Sequence, residues 1–332
     1  MSDSHLTESD VRRLLDPLQL LASIESAFRD RYPSISLPQR TQAELAHGIF
    51  LTMSCYDGAT DTLGMKLVLV RDKAQNGSSR SPRAAEQSVA SADGRVQATY
   101  LLLDPETAQP RLTIAANYLT DLRTAATSAV ATKFLARPDA SVLGIFGTGR
   151  LARAHLAVLP AVRKFDRVLI CGRNPSRSAE FVKQASGDLP ELTVIAADAR
   201  TCAAQSDVLC TCTSASVPLF DGRDLRPGTH LNLVGAFRPQ TREVDTYTIQ
   251  RSRVVVDIHG AATSEVGELL IPLREGAIAP DHVAADLHEV VSGKKQGRRS
   301  AEETTVFKSV GCALEDLVAA ELLLAAQSAR KG

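Results

Sequence analysis

The stretch SVLGIFGTGRLAR, residues 141–153, constrains the fold of this chain more than any other. An apolar run from Val142 to Phe146 enters the glycine-rich turn Gly147-Thr148-Gly149-Arg150-Leu151-Ala152, after which Ala152, Leu156 and Leu159 recur with helical period. Strand, turn and helix in that order make a dinucleotide site. The first glycine permits the tight turn and the second lets backbone approach a pyrophosphate. The small Ala152 allows close packing of helix on strand, and the phosphates meet the positive helix N-terminus. A bare turn of this kind also occurs without any ligand, so its surroundings must carry the reading.

Those surroundings agree. Six short apolar runs, 142–147, 167–172, 192–197, 207–213, 230–235 and 254–258, alternate with helical segments. Such alternation predicts an α/β fold with a Rossmann-type, doubly wound parallel sheet. Upstream the pattern is different. Thr7 caps a short helix over 6–15. Asp16 and Pro17 then start a second helix, whose apolar face is Leu20, Ile24, Ala27 and Phe28. Strand patterns at 48–54, 62–70, 96–104 and 111–115, with a turn at Asp104-Pro105-Glu106-Thr107, predict an antiparallel region. The Ser/Ala/Arg-rich stretch 73–94 reads as a surface loop. A helix follows over 119–136. The apolar helical tail 310–326 is expected to pack back on the N-terminal region. The predicted division is therefore residues 1–120 with 309–332 as one α+β domain, and 121–308 as the dinucleotide-binding domain.

Charge narrows the ligand. Lys+Arg and Asp+Glu are 38 each, which leaves no global field to attract nucleic acid or an anionic membrane. A small neutral or zwitterionic molecule fits better. No run approaches membrane-spanning length, and MSDSHLTESD lacks the layout of a secretion signal. The six cysteines lack metal-ligand spacing and read as buried free thiols, so a cytoplasmic protein without a metal is expected.

The second parallel strand bears on the choice of cofactor. An acidic residue at its end would accept hydrogen bonds from the adenosine ribose and repel a 2′-phosphate. Here RVLICG runs instead into Arg173-Asn174-Pro175-Ser176-Arg177, where guanidiniums and a hydroxyl suit that phosphate. NADPH is expected to be preferred, with NADH also possible. Three further cations stand in apolar or small-residue settings: Arg40 after Pro38, Lys66 within GMKLVLV, and Arg123 within TDLRTAA. A charge in such a setting needs an internal anion or a ligand carboxylate. Together the three predict a carboxylate clamp.

The segments LTDLRTAATSAVATKFLARPDA, LGIFGTGRLARAHL, RPGTHLNLVGAFRP and ETTVFKSVGCALEDLVAAELL occur in that order. On them the chain resembles the ornithine cyclodeaminase/μ-crystallin family over nearly its whole length. The resemblance implies a Rossmann domain, a substrate-binding and dimerisation domain built from both chain ends, a homodimer, and chemistry at the Cα–N bond of amino acids. Members of the family include cyclodeaminases, alanine dehydrogenases, cyclic ketimine reductases and a cofactor-dependent ligand binder. The resemblance implies that Arg40, Lys66 and Arg123 hold the substrate carboxylate, and that Phe307, Ser309 and Gly311 border the nicotinamide. Further cofactor contacts are expected at Thr124, Thr213 and Val234.

One departure sorts these activities. Cyclodeaminases of the family carry an aspartate in the motif that here reads Gly235-Ala236-Phe237-Arg238-Pro239. Phe237 can neither take a proton nor hold an ammonium. The expected reaction is thus NADPH-dependent reduction of Δ1-pyrroline-2-carboxylate, or its six-membered homologue, to L-proline or L-pipecolate. Met53 and Phe237 are expected to line the pocket. Lys66 would donate or relay a proton if burial lowers its pKa. Alanine dehydrogenase-like or ornithine cyclodeaminase activity, and a non-enzymatic, NADPH-dependent binder, remain the alternatives.

Overall fold

The computed structural model describes residues 5–71, 96–260 and 265–330, so the expected 73–94 loop lies outside the described residues. The chain forms two units. The first comprises Met1–Asp16, Pro33–Thr120 and Ala313–Gly332, and the second Pro17–Tyr32 and Asp121–Cys312.

The first unit is a seven-stranded sheet. Its strands are β1 (His5–Leu6), β2 (Ile35–Ser36), β3 (Thr41–Leu45), β4 (Gly48–Asp57), β5 (Thr62–Arg71), β6 (Val96–Leu103) and β7 (Pro110–Ala115). The order is β1-β7-β6-β5-β4-β2, with β3 also paired to β4. Every pairing is antiparallel except that of β1 with β7. Along β4, β5 and β6 buried residues alternate with more exposed ones. This is the period-two pattern of a sheet with one covered face. The helix Ala313–Ser328 packs across these three strands, as expected of the apolar tail. Helix α1 (Glu8–Leu14) starts at a capping box between Thr7 and Asp10. Strands β1, β2 and β3 escaped the sequence reading: two are two residues long, and β3, TQAEL, is exposed throughout and has no apolar alternation.

The second unit holds an eight-stranded parallel sheet. Its strands are β8 (Val142–Phe146), β9 (Arg167–Cys171), β10 (Thr193–Ala196), β11 (Val208–Thr211), β12 (His230–Leu233), β13 (Arg253–Val256), β14 (Val283–Asp286) and β15 (Thr305–Lys308). They run in the order β10-β9-β8-β11-β12-β15-β13-β14. The six expected runs are β8 to β13. Two further strands correct the count: β14 extends one edge, and β15 inserts between β12 and β13. The sheet order reverses direction in sequence between β8 and β11, and in open α/β sheets ligands bind outside the strand C-termini at that point.

Helix α2 (Pro17–Ser26) and the turn Ala27–Arg31 group with the second unit, whereas the sequence reading placed residues 1–120 together. Long-range contacts explain the grouping. Glu25 accepts from Lys133 Nζ at 2.7 and 2.9 Å, the Phe28 carbonyl pairs with His288 Nδ1 at 2.6 Å, and Tyr32 stacks on the His288 ring. Residues 309–312 also belong to this unit. All six cysteines are free thiols, five of them buried and Cys171 half-buried. Among the described residues no helix is long and apolar enough to cross a membrane.

Two histidines are built into the second unit as neutral rings. His155, on α4 (Arg150–Val158), meets the Leu151 carbonyl at 2.8 Å and Ser128 Oγ at 2.9 Å, while His230 meets Thr305 Oγ1 at 2.9 Å. Burial lowers His155 to about 4. Burial, with Arg298 nearby, lowers His230 to about 3. Both folded-state values lie below the unfolded value near 6.5. Their stabilisation is therefore complete above pH 6.5 and is lost as pH falls towards 4 and then 3, because only the unfolded chain takes up protons in that window. The slope is at most about 1.4 kcal/mol per pH unit for each ring. Melting temperature measured between pH 7 and 5 is expected to fall, and His155→Gln to flatten the fall. An unchanged slope in that variant would show that His155 titrates alike in both states.

Candidate active site

The dinucleotide turn has the local geometry its sequence requires. Gly147 follows β8 with φ +117°, and a Cβ there would stand 2.5 Å from the Cys212 carbonyl on the loop after β11. Only glycine lets these two strand ends approach at the switch point. Gly149 is the N-cap of α4 and supplies no side-chain acceptor, and a Cβ on it would meet nothing within 4 Å. The first turn of the helix thus opens onto a space from which a pyrophosphate can reach backbone N–H groups. Ala152 is fully buried. Arg150 is held by Asp121, with Nε 3.0 Å from Oδ2. Thr148 stands beside the end of β9, since a Cβ on Gly172 would lie 2.8 Å from Thr148 Cγ2. These features fit a dinucleotide cofactor.

This proximity brings Arg173, Asn174, Ser176 and Arg177 to the flank of the glycine turn. All four are exposed. Asn174 has a structural task as well: it caps α5 (Pro175–Asp188), its side-chain oxygen accepting from the Arg177 N–H at 3.2 Å. The guanidiniums therefore sit at a helix start, where backbone and side-chain charge both favour an anion.

On the other side of the switch point is a buried charge cluster that the sequence reading missed. Glu243 Oε1 accepts from the Thr213 N–H at 2.9 Å and the Thr213 hydroxyl at 2.6 Å. Its Oε2 accepts from Thr211 Oγ1 at 2.7 Å, Gly235 N–H at 2.8 Å and Ala236 N–H at 3.3 Å. Burial pushes this carboxyl up, opposed by Lys308 and the two threonine hydroxyls. Lys308, at the end of β15, donates to the Ala236 carbonyl at 2.6 Å and lies 3.5 Å from Glu268 Oε2. Glu268 Oε1 in turn accepts from the Glu243 N–H at 3.1 Å. Lys308 could have been found by the criterion that found Lys66, a charge inside an apolar strand, but TVFK was not read as a strand. Glu243 sits in a polar loop and leaves no periodic signal.

Arg123 lies on α3 (Asn117–Leu135), a helix buried along 121–132, and is itself 5% exposed. Its guanidinium rests against Gly311, where an added Cβ would be 2.4 Å from Nη1 and where φ is +79°. The segment leading to Gly311 is pinned by Asp257. That carboxylate accepts from Ser309 Oγ at 3.0 Å, Val310 N–H at 2.8 Å and Gly311 N–H at 2.7 Å. Asp257 thus shapes the loop that faces Arg123. Phe307 is fully buried in β15, and Thr124 is buried beside Arg123 on α3. Thr213, Val234 and Phe237 are half-buried after β11 and β12, and the Arg238 guanidinium lies over the Phe237 ring.

The first unit places Met53 and Lys66 in one cross-strand row, with the half-buried Arg40 outside it, just before β3. Met53 pairs with Lys66, and Lys66 pairs with Tyr100. Arg40 immediately precedes Thr41, which pairs with Thr52. The row lies on the buried face, and the internal anion anticipated for Lys66 is Asp316 of the overlying helix, at 2.7 Å from Nζ, with both side chains nearly inaccessible. Asp316 was also missed. The sequence cue was an acidic pair, Glu315-Asp316, inside an apolar helix. A Cβ on Gly64 would fall 2.0 Å from the Tyr100 hydroxyl, so that glycine admits the ring. Burial and the charge of Asp316 push the Tyr100 phenol well up.

The chain is similar to several known proteins. A Δ1-pyrroline-2-carboxylate reductase of Bacillus cereus is 38% identical over 224 residues, 67% of this chain and 69% of that one. Ketimine reductase mu-crystallin of Rattus norvegicus is 33% identical over 329 residues, covering 98% and 95% of the two chains. Among solved structures, Thermococcus litoralis Δ1-pyrroline-2-carboxylate reductase in complex with NADH and L-proline superposes with a TM-score of 0.89, at 33% identity and 98% coverage of both chains. The family model for ornithine cyclodeaminase/mu-crystallin matches residues 2–330, a span that takes in both units, and the chain belongs to that family.

Proposed function

We propose that this chain reduces the C=N bond of a cyclic imino acid, Δ1-pyrroline-2-carboxylate or Δ1-piperideine-2-carboxylate, to L-proline or L-pipecolate, with NADPH as the preferred reductant. The observation that carries the reading is the likeness, over nearly the whole of both chains, to a reductase solved with NADH and L-proline. A bound nicotinamide supplies the hydride. The chain's own residues hold the substrate. Arg123 fixes the carboxylate so that the imine carbon is presented in one orientation, a role that the family resemblance implies for Arg40 and Lys66 as well, and most of the acceleration comes from orientation. A protonated imine is the better hydride acceptor and can arrive already protonated, so no strong acid is required. Asp316 pairs with Lys66, which therefore serves first as a fixed positive charge and second as a proton relay. Phe237 offers no carboxylate to a substrate amine, which disfavours cyclodeamination. The working form is proposed to be the homodimer that the family resemblance implies.

The test is NADPH oxidation across cyclic imino acids and across pyruvate with ammonia or methylamine, together with the reverse reaction on amino acids. The cyclic imines are expected to give the highest kcat/KM. Faster turnover of pyruvate with ammonia would favour an alanine dehydrogenase, and conversion of ornithine to proline without added reductant would overturn the reductase reading. For the cofactor, Arg173→Asp is expected to shift the NADPH-to-NADH preference towards NADH by about tenfold or more, the effect of ~1.4 kcal/mol lost at a charge-assisted phosphate contact. An unchanged ratio would remove Arg173 from the 2′-phosphate site.

A further inference from the structure

Three strands that are neighbours in the sheet, β11, β12 and β15, end at the Glu243–Lys308–Glu268 cluster. One carboxylate joins two of these ends. Glu243 receives the Thr211 and Thr213 hydroxyls and the Thr213 N–H from the end of β11, and two successive N–H groups, Gly235 and Ala236, from the end of β12. Gly235 makes this possible, because a Cβ there would lie 2.2 Å from the Thr213 carbonyl and 2.4 Å from Glu243 Oε1. Ala236 is held from both sides, its N–H by Glu243 and its carbonyl by the Lys308 ammonium at 2.6 Å. All three charged side chains are fully buried. Charge-assisted hydrogen bonds in such surroundings are short, strong and geometrically exacting.

The adenosine end of a dinucleotide is served by different parts of the unit, the glycine turn and the Arg173–Arg177 turn. The loops tied by Glu243 lie on the opposite side of the switch point, where the nicotinamide half of a cofactor crosses the strand ends. We propose that Glu243 is the positioning residue for the nicotinamide half of the cofactor, holding Thr213 and the Gly235–Ala236 peptide in the one arrangement that presents the ring to substrate. Glu243 itself touches neither ring nor imine. It acts through the backbone it binds, and its charge matters because all five neighbours donate to it. The inference rests on the nicotinamide-dependent reading given above.

The experiment separates the two halves of the cofactor by direct binding. Dissociation constants for NADPH and for 2′-phospho-ADP-ribose, which lacks the nicotinamide, are measured on the full chain and on Glu243→Gln, Glu243→Asp and Thr211→Val. The amide of Glu243→Gln must point N–H groups at donors. It is expected to weaken NADPH at least tenfold while changing 2′-phospho-ADP-ribose less than twofold, and to lower kcat for the imine. Glu243→Asp keeps the charge and is expected to recover part of the loss. Thr211→Val removes a single donor from a buried strand position with little change of shape, and remains informative if the Glu243 variants do not fold. It is expected to show the same split at two- to fivefold. Equal weakening of both ligands, or no weakening of either, would overturn the proposal. Because the readout is binding, it stands apart from whether the wild-type chain proves to reduce cyclic imines.

Discussion

Arg123→Ala is expected to lower kcat/KM for Δ1-pyrroline-2-carboxylate by about a thousandfold while NADPH still binds. Arg123 is 5% exposed, sits on a helix buried through residue 132, and its guanidinium faces a loop that Asp257 pins. Removing one partner of a buried, hydrogen-bonded charge pair costs roughly 2–5 kcal/mol, and about 1.4 kcal/mol corresponds to a factor of ten. A value near the upper middle of that range gives the thousandfold figure. Arg123→Lys keeps the charge but loses the planar fork, and recovers only part of the activity. Gly311→Ala supplies an independent check. Its Cβ would fall 2.4 Å from Arg123 Nη1, and φ there is +79°, so either the arginine or the loop must move. Steady-state kinetics alongside NADPH binding decides the matter. If Arg123→Ala keeps more than a tenth of wild-type kcat/KM, the arginine is not the carboxylate anchor.

The second large effect is on stability. Asp316→Ala leaves the Lys66 ammonium buried under the helix Ala313–Ser328 without the carboxylate now 2.7 Å away. Breaking a buried pair from one side costs about 3–5 kcal/mol, whereas replacing both partners with apolar residues of similar volume is often neutral. Asp316→Ala is therefore expected to lower the unfolding free energy by that amount. The double variant Lys66→Met with Asp316→Leu is expected to recover most of it. Activity should not follow stability. On the proposed role of Lys66 in holding the substrate carboxylate, the double variant folds but has lost that charge, and its kcat/KM for the cyclic imine is expected to stay depressed at least tenfold, a loss of about 1.4 kcal/mol. Denaturant unfolding and imine reduction on the same samples separate the two. Full activity in a stable double variant would make the ion pair purely structural.

These two residues mark the limit of reading the chain without its fold. Lys66 could be picked out because a charge within GMKLVLV violates a local rule. Its partner could not, because Asp316 is 250 positions away and only the packing of a helix on β4 to β6 brings it near. The same holds for Glu243, whose five donors come from two strand ends. Short elements failed for a different reason. β15 has four residues, one of them a lysine, and β3 has no apolar face, so neither carries the periodicity by which strands are found. Arg173 and Arg177 were singled out for yet another reason, because cofactor chemistry at that strand end depends on residue type at a fixed distance from the glycine turn.

What the amino-acid order determined by itself was local: the glycine turn and its helix, the strand runs β8 to β13, the alternation of β4 to β6, and the anomalous cations Lys66 and Arg123. Backbone sterics and the burial of apolar side chains act over a few residues, and their signature is printed in the chain. Tertiary structure alone decided which carboxylate answers which cation, that residues 17–32 join the second unit, and that β15 enters between β12 and β13. Those outcomes depend on ion pairs and strand pairings between distant segments. The free energy of such contacts exists only once the chain has closed the intervening loops, so no local pattern records them.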